Sequence, residues 1–73
     1  MSPNAFLTRR ELDILAFLIA GKRNREIAAG LHLSEGTVKS YLSSIYRKLG
    51  VSSRTQAAIV GLGIFPMLLA LAN

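Results

Sequence analysis

The stretch Asn24-Arg-Glu-Ile-Ala-Ala-Gly-Leu-His-Leu-Ser-Glu-Gly-Thr-Val-Lys-Ser-Tyr-Leu-Ser-Ser-Ile-Tyr-Arg-Lys-Leu-Gly50 decides the fold. Ser34 is a good N-cap, because its hydroxyl can accept from a backbone N–H that the first turn of a helix leaves without a partner. From Glu35 the apolar residues fall at Val38, Leu42, Ile45 and Leu49, spacings of 4, 3 and 4 that line one helix face over three turns. Gly50 ends this helix in the left-handed conformation, and Val51 folds back as the hydrophobic contact of a Schellman-type cap. Upstream, Asn24 reads as the N-cap of a shorter helix, about Arg25 to Leu31, with Ile27, Ala28 and Leu31 on its inner face. Gly30 lowers helix propensity by roughly 1 kcal/mol relative to Ala, which suits a helix about to stop. His32-Leu33 then make a tight connection to Ser34.

The flanks add one helix on each side. Thr8-Arg9-Arg10-Glu11 is a capping-box pattern, with Leu7 and Leu12 placed to form the hydrophobic staple. It opens a helix of about Arg9 to Ala20, stopped by Gly21 in the left-handed conformation. Lys22-Arg23 follow as a short basic loop. Ser53-Arg54-Thr55-Gln56 repeats the capping-box pattern and opens a fourth helix through Ala57, Ala58, Ile59 and Val60. No segment alternates with the period of two that marks a half-buried strand. The expectation is all-α, four helices, with residues 1–6 as an N-terminal extension, 7–63 as the helical domain and 64–73 as an apolar C-terminal tail.

Composition narrows the function. Seventy-three residues, 51% of them hydrophobic, bury one small core. Nine Lys and Arg against four Asp and Glu give +5, a surplus that favours a polyanionic partner. The absence of cysteine excludes disulfides and thiolate metal sites, and one histidine with four scattered carboxylates offers little for catalysis. No enzyme activity, cofactor or metal is expected. All thirteen charged side chains precede Thr55, so a basic front joins a neutral, apolar back. The apolar run Ala57–Ala72 is shorter than the about 20 residues a membrane span needs, and Gly61, Gly63 and Pro66 interrupt it. No secretory signal is visible. A cytoplasmic protein with no membrane partner is the default.

A short helix, a tight turn and a longer N-capped helix with a polar outer face make the helix-turn-helix plan. In that plan the longer helix, here about Glu35–Leu49, inserts its N-terminal half into the major groove of double-stranded DNA. At about 100° per residue, its outer face is centred on Gly36, Ser40, Ser43 and Arg47, with Lys39 and Ser44 at the edges. Gly and Ser let the backbone approach base edges closely. Lys39 and Arg47 are the long donors, and Lys or Arg to guanine N7 and O6 is the commonest specific contact. The helix N-terminus also directs N–H groups and partial positive charge toward phosphate. An amphipathic core helix with a merely solvated face has the same spacing. Tyr41 and Tyr46 also read as rim packing, Lys22 and Arg23 as solvated loop charges, and His32 as a plain turn residue. Asp13, Glu26 and Glu35 complement helix dipoles.

The string Leu7-Thr8-x-Arg10-Glu11, Ile14-Leu15, Gly21, Asn24-x-Glu26-Ile27-Ala28, Leu31, Ser34-x-x-Thr37-Val38-Lys39 and Lys48-Leu49-Gly50-Val51-x-x-Arg54 resembles the LuxR-type (NarL/FixJ) helix-turn-helix domain. The resemblance covers roughly Leu7 to Val60, and many elements recur in order. It implies a DNA-binding domain of bacterial transcription regulators, a homodimer on inverted repeats, and the fourth helix at the dimer interface. Ile59, Val60 and Leu62 would form that interface. By position, it implies base contacts from Lys39, Ser40 and Ser43. Backbone contacts would come from Asn24, Thr37, Arg47, Lys48 and Arg54, with Lys22 and Arg23 as extras. Glu11 would pair with a basic residue inside the domain. RNA polymerase, or an N-terminal sensing domain outside this chain, is a further partner the family implies.

Three departures from the pattern matter. Tyr41 stands where His is common, so its backbone contact would come from a phenol hydroxyl. Ser40 and Ser43 are short, which leaves direct readout to Lys39, helped by water or DNA shape. Leu12, Ala16 and Ala20 make an unexpected apolar stripe on helix one. The tail from Gly61 either covers that stripe, joins a dimer face, or lies on a membrane surface, although the last needs flanking cations that are missing. The other function class is a protein-interaction module that binds or sequesters another regulator through the apolar C-terminal region. The σ-factor C-terminal region is a related fold, but the Thr37-Val38-Lys39 and Lys48–Val51 elements fit the LuxR type better.

Overall fold

Thr8 caps the first helix as the sequence pattern requires. Its backbone is extended, its Oγ1 accepts the Glu11 N–H at 3.1 Å, and its own N–H donates to Glu11 Oε1 at 2.7 Å. The computed structural model describes residues 6–71, with Leu68, Leu69 and Leu71 described by backbone alone. Most of the N-terminal extension, and Ala72 and Asn73 of the tail, lie outside the described residues. Four helices follow in order: α1 (Arg9–Ile19), α2 (Asn24–Leu31), α3 (Glu35–Leu49) and α4 (Arg54–Leu71). The described chain is therefore all-α.

The stops are those that the glycines dictate. Gly21 has φ +83° and Gly50 φ +71°, conformations that glycine adopts without a Cβ penalty. The Val51 N–H reaches back to the Tyr46 carbonyl at 3.0 Å, closing the Schellman-type cap. The α2–α3 turn instead uses His32 at φ 59°, an uncommon left-handed non-glycine residue. Leu33 N–H bonds the Ala28 carbonyl at 2.9 Å, which fixes how sharply α3 leaves α2.

One expectation about caps is corrected. Asn24 is the first residue of α2 rather than its cap; Arg23, in extended conformation, takes the cap position. The Glu26 carboxylate accepts the Arg23 N–H at 2.8 Å, and this acidic contact in the first turn needs no Asn cap. The Asn24 side chain is thereby free for a longer-range partner.

The core is made by Leu7, Leu12, Ile14, Leu15 and Leu18 from α1 and its lead-in, together with Ile27, Val38, Leu42, Ile45 and Ala57. Each helix thus contributes its inner face, and α1 is the element against which the others pack. α4 crosses α1 closely at Gly61, where an added Cβ would lie 2.9 Å from Leu15 Cδ1 and 3.2 Å from Ile19 Cδ1. α4 at Gly61 thus lies against the Leu15–Ile19 side of α1. Ala16 and Ala20 of the expected stripe remain exposed, and Leu12 is buried in the main core. α4 continues through Pro66 to Leu71, and no helix among the described residues is long and apolar enough to cross a membrane.

Candidate nucleic-acid interface

α3 divides cleanly along its length. Val38, Leu42 and Ile45 are buried, while Gly36, Lys39, Ser40, Ser43 and Arg47 are exposed in a row on the opposite side. Ser34 holds the start of this helix: its Oγ accepts the Thr37 N–H at 3.0 Å and donates to Thr37 Oγ1 at 2.9 Å. The Thr37 hydroxyl hydrogen is consequently free to donate outward from an exposed side chain. A shallow groove of about 350 Å³ runs beside this row, lined by Glu11, Thr37, Ser40, Tyr41 and Ser44. Tyr41 and Tyr46 are both half-buried and packed against the core.

The cations expected at the backbone fall into two groups. Lys22, Arg23, Lys39 and Arg47 are exposed, and none makes an ion pair among the described residues. Arg25, which the sequence reading passed over, belongs with them: it is exposed on α2 beside Arg23 and helps line a surface depression with Glu26 and Ala29. Its signal was simply a cation on the helix that crosses the backbone in a helix-turn-helix. Lys48 and Arg54 are engaged within the protein. Lys48 Nζ lies 2.8 Å from Glu11 Oε1. Arg54 donates through Nη1 to Asn24 Oδ1 at 2.8 Å and through Nη2 to the Lys22 carbonyl, so it clips the start of α4 to the α1–α2 loop. Arg9 and Arg10 stand near Asp13 on the outside of α1 at 3.7 and 3.9 Å.

Glu11 is the hub of the polar interior, with only 3% of its surface exposed. Oε1 receives the Thr8 N–H and Lys48, and Oε2 receives the Ser44 hydroxyl at 2.8 Å. Burial alone would raise its pKa; hydrogen bonds from Lys48, the Thr8 N–H and Ser44, with the Lys48 charge, outweigh that and hold it below the ordinary 4.5. Ser44, placed by helical angle at the edge of the outer face, turns inward to this carboxylate. Its sequence signal was the i, i+4 spacing to Lys48, which sets both donors on one side of α3.

α4 presents a different surface. Ile59 and Leu62 are 67% and 68% exposed and Val60 is half-buried. Met67 extends the apolar strip at 59% exposure. Val60 and Ile59 also line a groove of about 200 Å³ against Gly50, Val51 and Gln56. The helix start repeats the capping idea with a shift: Gln56 N–H donates to Ser53 Oγ at 3.1 Å, while Gln56 Oε1 accepts from Ser52 rather than from Ser53.

Comparison with known proteins agrees with this architecture. The pattern of "Bacterial regulatory proteins, luxR family" matches residues 5–60. The chain is 55% identical over 53 residues to the uncharacterized transcriptional regulatory protein YhcZ of Bacillus subtilis, covering 73% of this chain and 25% of that protein. It is 50% identical over 54 residues to the putative HTH-type transcriptional regulator YhjB of Escherichia coli, covering 74% and 27%. With the nitrate/nitrite response regulator protein NarP of Escherichia coli the identity is 47% over 58 residues, covering 80% and 27%. The chain thus spans about a quarter of the length of these relatives. No solved structure matches it. With the family pattern lying across α1, α2, α3 and the start of α4, the chain belongs to the luxR family of bacterial regulatory proteins.

Proposed function

We propose that this domain regulates transcription by inserting α3 into the major groove of double-stranded DNA. The observation that carries the reading is the exposed row Gly36, Ser40, Ser43 and Arg47 with Lys39 beside it, on a helix whose opposite face is buried. Lys39, Ser40 and Ser43 take the base edges. Thr37, Tyr41 and Arg47 take phosphates alongside, and Lys22, Arg23 and Asn24 approach the backbone from the start of α2. Lys48 and Arg54 reach phosphate only while keeping their internal partners, since Glu11 and Asn24 already occupy part of each donor set. The role is binding, without cofactor or catalysis, in the bacterial cytoplasm. Leu7–Gly63 serves as the binding unit, and the last helix runs on through residues 64–71.

The same proposal includes a homodimer through Ile59, Val60 and Leu62. The whole chain carries +5, so two copies repel over most of their surface. α4 has no charge after Arg54 and exposes large apolar side chains, which makes it the surface on which two cationic chains can meet. RNA polymerase and a sensing domain outside this chain complete the proposed partners. The exposed apolar strip also supports a second reading, a module that sequesters another regulator through α4.

Fluorescence anisotropy of a mixed-sequence duplex, titrated at several salt concentrations, tests the first reading. Log affinity should fall with log salt by about 0.9 per phosphate neutralised. Lys39→Ala/Arg47→Ala should bind more weakly and with a shallower slope. Weak binding with a flat slope, unchanged in the double variant, would refute DNA insertion by α3 and leave α4 as the functional surface.

A further inference from the structure

Four of the six glycines have a reason in the fold. Gly21 and Gly50 stand at positive φ; a Cβ at Gly30 would lie 3.1 Å from Phe17 Cζ, and one at Gly61 would press into Leu15. Gly36 has no such reason. Its φ is not in the left-handed region, and a Cβ there would meet only Ser34 Oγ, at an ordinary 3.9 Å. It occupies the first turn of α3, where glycine is among the poorest helix formers and alanine the best. The fold would be better served by almost any other residue.

Gly36 is also the first member of the outward row. Along that row the side chains lengthen from nothing at Gly36, through the single hydroxymethyl of Ser40 and Ser43, to the guanidinium of Arg47. The outer surface of α3 is therefore tapered, lowest at its N-terminal turn. A helix with its side chains is about 10–12 Å across and the major groove about 12 Å wide, so one methyl on the leading turn changes how far the helix can enter.

We propose that Gly36 is a positioning residue that sets the depth of α3 in the groove: its backbone lies against the DNA with no room for a Cβ, and the domain forgoes helix stability to keep it so. This rests on the reading of α3 as the groove-inserted helix. The depth matters because Ser40 and Ser43 are short, and reach base edges only if the helix axis comes close. Lys39, with its flexible stem, tolerates a shallower seat.

The test compares Gly36→Ala and Gly36→Gln with the unaltered chain, on duplexes enriched from a random pool by the unaltered chain and on an unselected duplex. Thermal melting of Gly36→Ala should rise by about 4 °C, the shift expected when a helical glycine is replaced in a domain of this size. Its affinity for the enriched duplexes should fall about tenfold or more, and that of Gly36→Gln further. Affinity for the unselected duplex should change by less than about twofold, because phosphate-held binding does not need a deep seat. Two outcomes overturn the inference while leaving groove insertion intact: Gly36→Ala binding the enriched duplexes like the unaltered chain, or an equal loss on both kinds of duplex. If instead no duplex is enriched and Lys39→Ala/Arg47→Ala binds as the unaltered chain does, insertion of α3 itself fails and the role of Gly36 falls with it.

Discussion

Replacing Glu11 by Gln tests whether the buried carboxylate holds the domain together. Glutamine keeps the volume and can still accept the Thr8 N–H through its carbonyl oxygen. Its amide nitrogen can donate to Ser44 Oγ, reversing that bond. What it cannot replace is the charge facing Lys48 Nζ at 2.8 Å. A hydrogen bond to a charged group contributes about 1.5–3 kcal/mol net, and Lys48, still 29% exposed, can turn partly to water, so a loss of about 2 kcal/mol is expected. For a chain of this size, total stability is about 4–11 kcal/mol, and the loss lowers the melting temperature by about 8–16 °C. Glu11→Ala adds a void, strands Ser44 and removes half of the capping box, which brings the loss to about 3–5 kcal/mol.

The pH dependence makes this test specific. Because the folded-state pKa of Glu11 is lowered from 4.5, the unfolded chain binds the proton more readily. Its contribution is fully present above about pH 4.5 and is lost as pH falls through the folded value. Melting of the unaltered chain and of Glu11→Gln, followed by circular dichroism from pH 7 to pH 3, should therefore show a gap that narrows below pH 4.5. A gap of less than about 2 °C at pH 7, or one that stays constant on acidification, would falsify the account of Glu11 as a charged hub.

Other substitutions probe the backbone devices. Gly61→Val should destabilise by about 2–3 kcal/mol in urea titration, because its side chain must displace Leu15 and Ile19, whereas Gly63→Ala, with nothing within 4 Å of the new Cβ, should stabilise by up to about 1 kcal/mol. Two glycines two residues apart on the same helix thus move stability in opposite directions. Ser34→Ala removes the cap of α3 and should cost about 1 kcal/mol in the same titration. His32→Gly relieves the left-handed backbone at φ 59° and should raise the urea midpoint, by about 1 kcal/mol of stability.

The elements that could be read from sequence are those with local causes. α3 spans the expected Glu35–Leu49 because its cap, apolar spacing and terminal glycine lie within the helix or next to it. The cap of α2 was misplaced because Asn24 is intrinsically the better cap. Glu26 holds the Arg23 N–H, and Arg54, thirty residues away, draws off the Asn24 side chain. α4 outruns its expected core through Gly61, Gly63 and Pro66, since packing of Gly61 against α1 outweighs weak local propensity. The resemblance implied a basic partner for Glu11, but helical angle alone could not reveal that Ser44 turns to the same carboxylate.

The tied and free cations divide the work of the domain. Lys48 fastens the C-terminal half of α3 to the beginning of α1, and Arg54 fastens the beginning of α4 to the loop ahead of α2. These clips join segments more than 29 residues apart. Lys22, Arg23, Arg25, Lys39 and Arg47 are all exposed on or beside the helix-turn-helix, and none makes an ion pair among the described residues. If Lys22, Arg23, Arg25 and Arg47 meet phosphate while Lys39 takes a base edge, the salt slope per chain is about 3.6, and the loss of any one changes affinity while leaving melting nearly unmoved. Loss of a tied cation must change both. The division follows from geometry: a cation beside a buried carboxylate or a backbone carbonyl is held by the fold, and one on the outer row of α3 keeps its charge for an anion from outside.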